Sequence, residues 1–237
     1  MNKKILYIIG ILIVLAGITF FVKPKLSTPD DTNGFKTTKK DNSLIPDINL
    51  PFSNDPKDKA WELFQKYLSY NKARDIEKIR GVVYKISPVC EDQKTIIDCE
   101  SRMNAAYQYG SALKKADFEN IWEDNKQLIL LSNFWEEEND IGMGRFRSII
   151  FFIKDESGLK LLSFSPAKGA AIQKSDASLE ELNARAIRYT EDNDNDGKSD
   201  YTEECLDATP EKTCTKTDPK LRDTDKNGFW DGIQALF

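Results

Sequence analysis

Two twelve-residue runs near the C-terminus constrain this chain more than any other feature. Asp192-Asn193-Asp194-Asn195-Asp196-Gly197-Lys198-Ser199-Asp200-Tyr201-Thr202-Glu203 places acidic or amide side chains at alternating positions ahead of a glycine. The pattern returns 31 residues on as Asp223-Thr224-Asp225-Lys226-Asn227-Gly228-Phe229-Trp230-Asp231-Gly232-Ile233-Gln234. A solvated acidic tail has no reason to put glycine at the sixth position twice. The runs therefore read as tight loops whose short side-chain oxygens converge on one point.

That arrangement suits calcium, a hard cation that takes roughly six to eight oxygens at about 2.3–2.6 Å. Positions 1, 3 and 5 supply side-chain oxygens, and position 6 turns sharply, hence Gly197 and Gly228. Position 7 lends a backbone carbonyl, which assigns Lys198 and Phe229. Position 9 often acts through water and position 12 closes the site with a carboxylate. The first loop offers Asp192, Asp194, Asp196, Asp200 and Glu203. The second offers Asp223, Asp225 and Asp231, with Asn227 at position 5 and Gln234 in place of the closing glutamate. It is expected to bind calcium more weakly, or only alongside the first.

Residues 178–190 are expected to form a helix entering loop one, with Leu179, Leu182, Ala186 and Tyr189 near one face. Loop two is entered through Thr217-Asp218-Pro219, where proline disfavours a helix. Ser199 at position 8 lacks the apolar residue that pairs two EF-hand loops. Asp194 to Asp200, Thr217-Asp218-Pro219, Asp223-Thr224-Asp225, Gly228 and Asp231-Gly232 together resemble the bacterial form of thrombospondin type-three repeats. The resemblance covers about residues 190–234. It implies structural calcium, little hydrophobic core and a cell-surface setting. Lys226-Asn227 and Phe229-Trp230 depart from the family pattern and bear on the second site. A dockerin is the competing loop family, and it implies a docking module that presents Phe229, Trp230, Leu236 and Phe237 to a partner protein.

The acidity is local. Residues 191–231 carry thirteen acids against six bases, a net −7, while the whole chain is −5, so the remainder is close to neutral and nothing suggests nucleic-acid binding. The chain has no histidine. That removes histidine-dependent triads, zinc sites and haem ligation.

Ile5 to Val22 are 18 uncharged, mostly aliphatic positions preceded by Lys3 and Lys4. They are expected to be an uncleaved membrane anchor, residues 1–22, with the C-terminal part outside the cell membrane; a cleaved signal peptide is the alternative. Residues 23–54 read as a flexible spacer. Cys90, Cys99, Cys205 and Cys214 fit an oxidising compartment. Local pairing would close two small loops, yet four cysteines allow three pairings and the sequence does not choose. A four-thiolate zinc site is the rival, although its ligands are normally closer together.

Residues 55–170 are expected to form an α+β domain with helices packed on a curved antiparallel sheet, and 178–237 the calcium-binding repeat with little regular structure. Asp55-Pro56 starts a helix carrying Trp61, Phe64 and Leu68 on one face. Helices are also expected near 72–80, ended by Gly81, and near 99–115, with an extended piece at Val82 to Ile86 between them. Strands are expected near 118–123, 127–135, 144–154 and 158–165. Gly142-Met143-Gly144 reads as a loop, and Pro166 to Gly169 as the end of the sheet. The apolar runs Leu128 to Leu131 and Ile149 to Ile153 suggest burial on both faces. The element order over 56–165 resembles the cone-shaped nuclear transport factor two-like fold, some members of which hold a pocket. Asp117, Glu119, Glu123 and Asp124 show no spacing that points to acid/base roles, so no catalytic residue is assigned and no enzyme is expected, with small-ligand binding or enzymatic activity in this α+β domain as the alternative. Trp61, Tyr107, Trp122, Trp135 and Phe152 read as core aromatics, or else as the lining of a small-ligand pocket.

Overall fold

The computed structural model describes residues 55–92, 95–206 and 214–237, all within one compact unit. The expected anchor at 5–22 and spacer at 23–54 lie outside these residues. Among the described residues no helix is long and apolar enough to cross a membrane.

The chain is α+β. Helix α1 spans Pro56–Ala73, α2 Ile76–Val82 and α3 Ile96–Gly110. Asp55 caps α1 by accepting from Lys57 N at 2.8 Å, with Pro56 in the first turn. Ala60, Phe64 and Leu68 form its buried stripe. Gly81 lies inside α2 rather than ending it; it is exposed, and its helical carbonyl accepts from Lys160 Nζ at 2.6 Å. The extended piece that follows reduces to one parallel bridge between Val83 and Leu161. Helix α3 begins and ends earlier than its periodicity suggests. At its last residue, Gly110, any Cβ would lie 2.4 Å from a Leu68 methyl, so glycine is what lets α3 approach α1.

Strands β1 Asn120–Glu123, β2 Gln127–Leu131, β3 Trp135–Glu138, β4 Gly142–Asp155 and β5 Gly158–Gln173 form one antiparallel sheet. The long β4 is its spine. It pairs with β3 through its first half and β2 through its second, while β5 runs along its other side. The expected strand 127–135 divides at Ser132. There the Ser132 hydroxyl accepts from Ser148 N at 2.7 Å, a side chain standing in for the ladder. Gly142-Met143-Gly144 is not a loop but the start of β4, and Pro166 does not end the sheet. Pro166 sits on an edge strand, in a register shift between Arg147 and Ile149, where its missing N–H costs no ladder bond.

Both central apolar runs are buried on both sides, as their continuity suggests. Leu128, Leu130, Ile150 and Phe152 face α1 with Phe64, Leu68 and Phe118. Ile129, Leu131, Ile149, Phe151 and Ile153 face the other way. What covers that second face is the C-terminal acidic segment, through Trp230 and Ile233. Helix α4, Leu179–Thr190, packs beside it through Leu182 and Ala186 against Met143. A full capping box of Ser178 and Glu181 starts α4.

Ile233→Ala is therefore expected to lower the unfolding free energy by about 2–5 kcal/mol in urea denaturation, as for a buried core aliphatic. A change within about 0.5 kcal/mol, the range of surface substitutions, would mean that the segment is an appendage and not part of the core.

Candidate metal centre

The two loops fold alike, bond for bond. In each, position 4 has a positive φ (Asn195 62°, Lys226 58°), as does the glycine at position 6 (Gly197 92°, Gly228 90°). The carboxylate at position 1 accepts from the amides of positions 5 and 6: Asp192 from Asp196 and Gly197, Asp223 from Asn227 and Gly228. The position 9 carboxylate accepts from the amide of position 2, Asp200 from Asn193 and Asp231 from Thr224. A four-residue helix follows each loop: α5 Asp200–Glu203 and α6 Asp231–Gln234. Cys205, at φ 60°, then turns the chain away, so loop one has the entering helix α4 but no long exit helix.

Their chemistry then diverges. Asp192, Asp194 and Asp196 bring one carboxylate oxygen each to within 4.8 Å of one another. A second group of the same kind joins Asp196 and Glu203 to Asp231, which belongs to the other loop. These last three are 0%, 0% and 3% exposed. Asp196 Oδ2 also accepts from Gly232 N at 2.8 Å, so the loops interlock through one side chain. Buried oxygens Asp194 Oδ2 and Glu203 Oε2 have no hydrogen-bond donor. Asp200 turns away to hold Asn193, and Lys198 sends its Nζ to Thr217 Oγ1 at 2.9 Å.

In loop two, Asp225 accepts from both Asn227 Nδ2 and Gln234 Nε2. Asn227 Oδ1 accepts from Phe229 N at 2.8 Å. Amide hydrogens there neutralise what further carboxylates would otherwise repel. Asp223, Asp225, Asn227 and Gln234 hold the second loop by hydrogen bonds, and Asp231 is the member of that loop that reaches the acidic cluster.

Burial and mutual repulsion push the cluster's pKa values up. Asp196 is raised to about 8 and Glu203 to about 7, each first by burial and then by neighbouring carboxylates. Asp194 rises to about 6 for the same reasons, with Asp192 its main repelling neighbour. Three buried carboxylates meeting at this distance need either protons or a cation between them. The residues present fit a metal ion, by their oxygen-only donor set and by the two orphaned oxygens.

Cations of the sheet hold the loop from outside. Arg147 on β4 pairs with Asp192 at 2.6 Å, and Lys168 on β5 donates to the Gly197 carbonyl at 2.6 Å. Burial, then the Arg147 charge, depresses the Lys168 ammonium. The Arg222 Nε donates to the Asp194 carbonyl, and Gln127, fully buried, accepts from Trp230 N at 3.0 Å. None of these partners carries a signal in the sequence, since each lies 28 to 103 positions from what it holds. Thr217 Oγ1 donates to Glu203 Oε1 at 2.9 Å and fixes the closing carboxylate.

The cysteines pair locally, Cys90 with Cys99 and Cys205 with Cys214. No thiol is free, which leaves no thiolate for zinc. The second bridge follows α5 directly. The acids at Asp117, Glu119, Glu123 and Asp124 form no such cluster. Glu119 and Glu123 pair with Asn133 and Lys154, and Asp124 caps the turn into β2. Trp61 of α1 and Tyr107 of α3 pack against the core, while Phe152 is fully buried. Trp122 lies on the opposite sheet face and Trp135 against Phe146.

No protein-family model matches the chain, and neither a curated protein nor a solved structure shows significant similarity to it.

The raised pKa values give a pH signature. Carboxylates held above their ordinary range bind more protons folded than unfolded. Their contribution to stability is full below about pH 4 and is lost as pH rises through about 6 to 8. Chelator-treated protein is expected to melt lower at about pH 8 than at about pH 5.5, and an added divalent cation to raise melting more at the higher pH. Calorimetry that finds the chelated protein equally stable at both would remove the buried-cluster account.

Proposed function

We infer that this chain is a membrane-anchored, outward-facing protein whose C-terminal pair of loops binds calcium. The observation that carries this reading is the convergence of Asp196, Glu203 and Asp231, three buried carboxylates from both loops, beside oxygens that no donor satisfies. Asp192 and Asp194 complete the donor set, with the Lys198 carbonyl as the expected seventh-position ligand. An all-oxygen protein cage favours calcium over magnesium, which dehydrates reluctantly and keeps several waters. Extracellular calcium sites work at about 10⁻⁴–10⁻³ M, so modest affinity suffices outside a cell. Two disulfides and the apolar segment 5–22 support that setting.

Calcium here is structural. By cancelling the charge at the junction it lets loop two press Trp230 and Ile233 onto the sheet. The resemblance to thrombospondin type-three repeats agrees with this role, although in this chain the repeat leans on an apolar sheet face. Of the four residues a docking module would present, Trp230 is 4% exposed, whereas Leu236 and Phe237 are 38% and 47%. A partner surface would therefore centre on the last two.

The test is a calcium titration of the full chain, in detergent, followed by thermal melting and protease resistance. At a hundred times the dissociation constant, calcium is expected to add about 2.7 kcal/mol of stability. Magnesium at equal concentration is expected to add much less. Asp196→Asn and Glu203→Gln should each abolish most of the calcium shift, and Gln234→Ala should leave most of it. A melting curve indifferent to calcium and to chelator, in protein that is folded, would overturn the reading.

A further inference from the structure

A hollow of about 470 Å³, sharing no residue with the acidic cluster, opens where α1, α2 and α3 meet β5. Ile76 and Ile79 of α2, Met103 of α3, and Leu161 and Phe164 of β5 give it an apolar lining. Residues 83–90 form one wall. That wall is pinned at both ends: Tyr84 N donates to the Leu161 carbonyl at 2.8 Å, and Cys90 is bonded to Cys99 of α3. These ties keep it from folding inward to fill the space. Leu236 and Phe237 line the hollow as well, and the Phe237 ring lies 5.6 Å from that of Tyr84. Of the aromatics that the sequence offers as pocket lining, Trp61, Tyr107, Trp122, Trp135 and Phe152, none takes part.

The charge of the hollow is one-sided. Lys85 and Arg102 line it and no carboxylate does. Among the described residues neither cation lies within ion-pair distance of an acid. Arg102 makes one hydrogen bond there, from Nη1 to Ser87 Oγ at 3.4 Å, which draws its guanidinium toward the wall that carries Lys85. Ile79, Met103 and Leu161 are buried while Lys85 and Arg102 are exposed, so the hollow is apolar at depth and cationic at its mouth. A molecule with an apolar tail and an anionic head matches both ends: the tail removes apolar surface from water, and the head meets two cations that have no acid of their own.

We propose that this hollow binds a medium-chain aliphatic carboxylate, its tail among Ile79, Met103, Leu161 and Phe164 and its head between Arg102 and Lys85. The volume falls within the range of small-molecule sites. Neither the lining nor the charges rest on the calcium reading, so the two stand or fall separately.

Equilibrium dialysis of labelled decanoate against the full chain in nanodiscs of zwitterionic lipid, with the uptake of empty nanodiscs subtracted, tests this. Decanoate is expected to bind saturably, and affinity to rise about two- to fourfold per methylene from hexanoate through octanoate to decanoate. Decanol and decyltrimethylammonium are expected to bind more weakly. Arg102→Gln and Lys85→Gln should each weaken decanoate about three- to fivefold and leave decanol unchanged. Ile86→Trp, which puts a ring into the hollow from its wall, should abolish saturable binding with melting unchanged. Decanol or the ammonium binding as tightly as decanoate would overturn the anionic-head assignment. Saturable decanoate binding that survives Ile86→Trp and both glutamine variants, or none above that of empty nanodiscs in folded protein, would overturn the site. A melting curve indifferent to calcium, with decanoate still bound and still sensitive to Arg102→Gln, would sink the metal reading and leave this one standing.

Discussion

Negative charge forced out of water is the constraint around which the C-terminal third of this protein is organised. Asp196 and Glu203 are fully buried, and Asp231 nearly so, at the point where two loops meet the sheet. Burial of this kind is unfavourable unless the charge is cancelled or hydrogen-bonded. The fold answers in layers. Backbone amides of the loops satisfy the oxygens of Asp192 and Asp196, Arg147 and Lys168 approach from the sheet, and the inner oxygens of Asp194 and Glu203 remain for a cation. The apolar contribution is tied to the same point. Gly232, which donates to Asp196, has Ile233 on one side and Trp230 two residues before it. Closing the acidic cluster and covering the sheet are thus one event.

This arrangement explains why two similar loops differ in composition. They share backbone conformation, amide pattern and a trailing helical turn. Loop one buries its acids and gathers them. Loop two remains more exposed and replaces two of its acids with amides, so that Asn227 and Gln234 donate to Asp225. Its Phe229-Trp230 pair, unusual for an acid-rich repeat, is accounted for by the sheet beneath: Trp230 enters the core and Phe229 packs at its margin with Lys126 and Phe237. Gly197 sits so close to Phe151 that any Cβ would lie 2.7 Å from the ring, so the turn glycine also serves the docking.

Much of this was legible in the sequence, and what was not shares one cause. Local signals were reliable: the Asp55-Pro56 helix start, the 178–190 helix, the turn glycines, and the apolar runs buried on both faces. Signals that depend on distant chain were not. Nothing local marks Ser132 as a strand break, because Ser148 makes it one. Pro166 reads as a terminator, yet the edge position of β5 and a register shift absorb it. Asp231 reads as a ligand of its own loop, and only the folded contact of Gly232 with Asp196 brings it to Glu203. The cysteines pair locally, one of three arrangements open to the sequence, with Cys99 on α3 and Cys205 two residues past α5.

The sheet's second face is closed by residues that come some eighty to a hundred positions after the strands they cover, as the pairing of Trp230 with Gln127 illustrates. A ribosome delivers β2 and β4 well before it delivers Trp230 and Ile233. Through that interval Ile129, Leu131, Ile149, Phe151 and Ile153 have no lid, whatever the helices on the reverse side have already built. Late-arriving partners of this kind make assembly slow and leave a sticky surface on the nascent chain. The molecule is therefore most vulnerable to self-association during its birth, and a truncated product ending before residue 230 would inherit that vulnerability permanently.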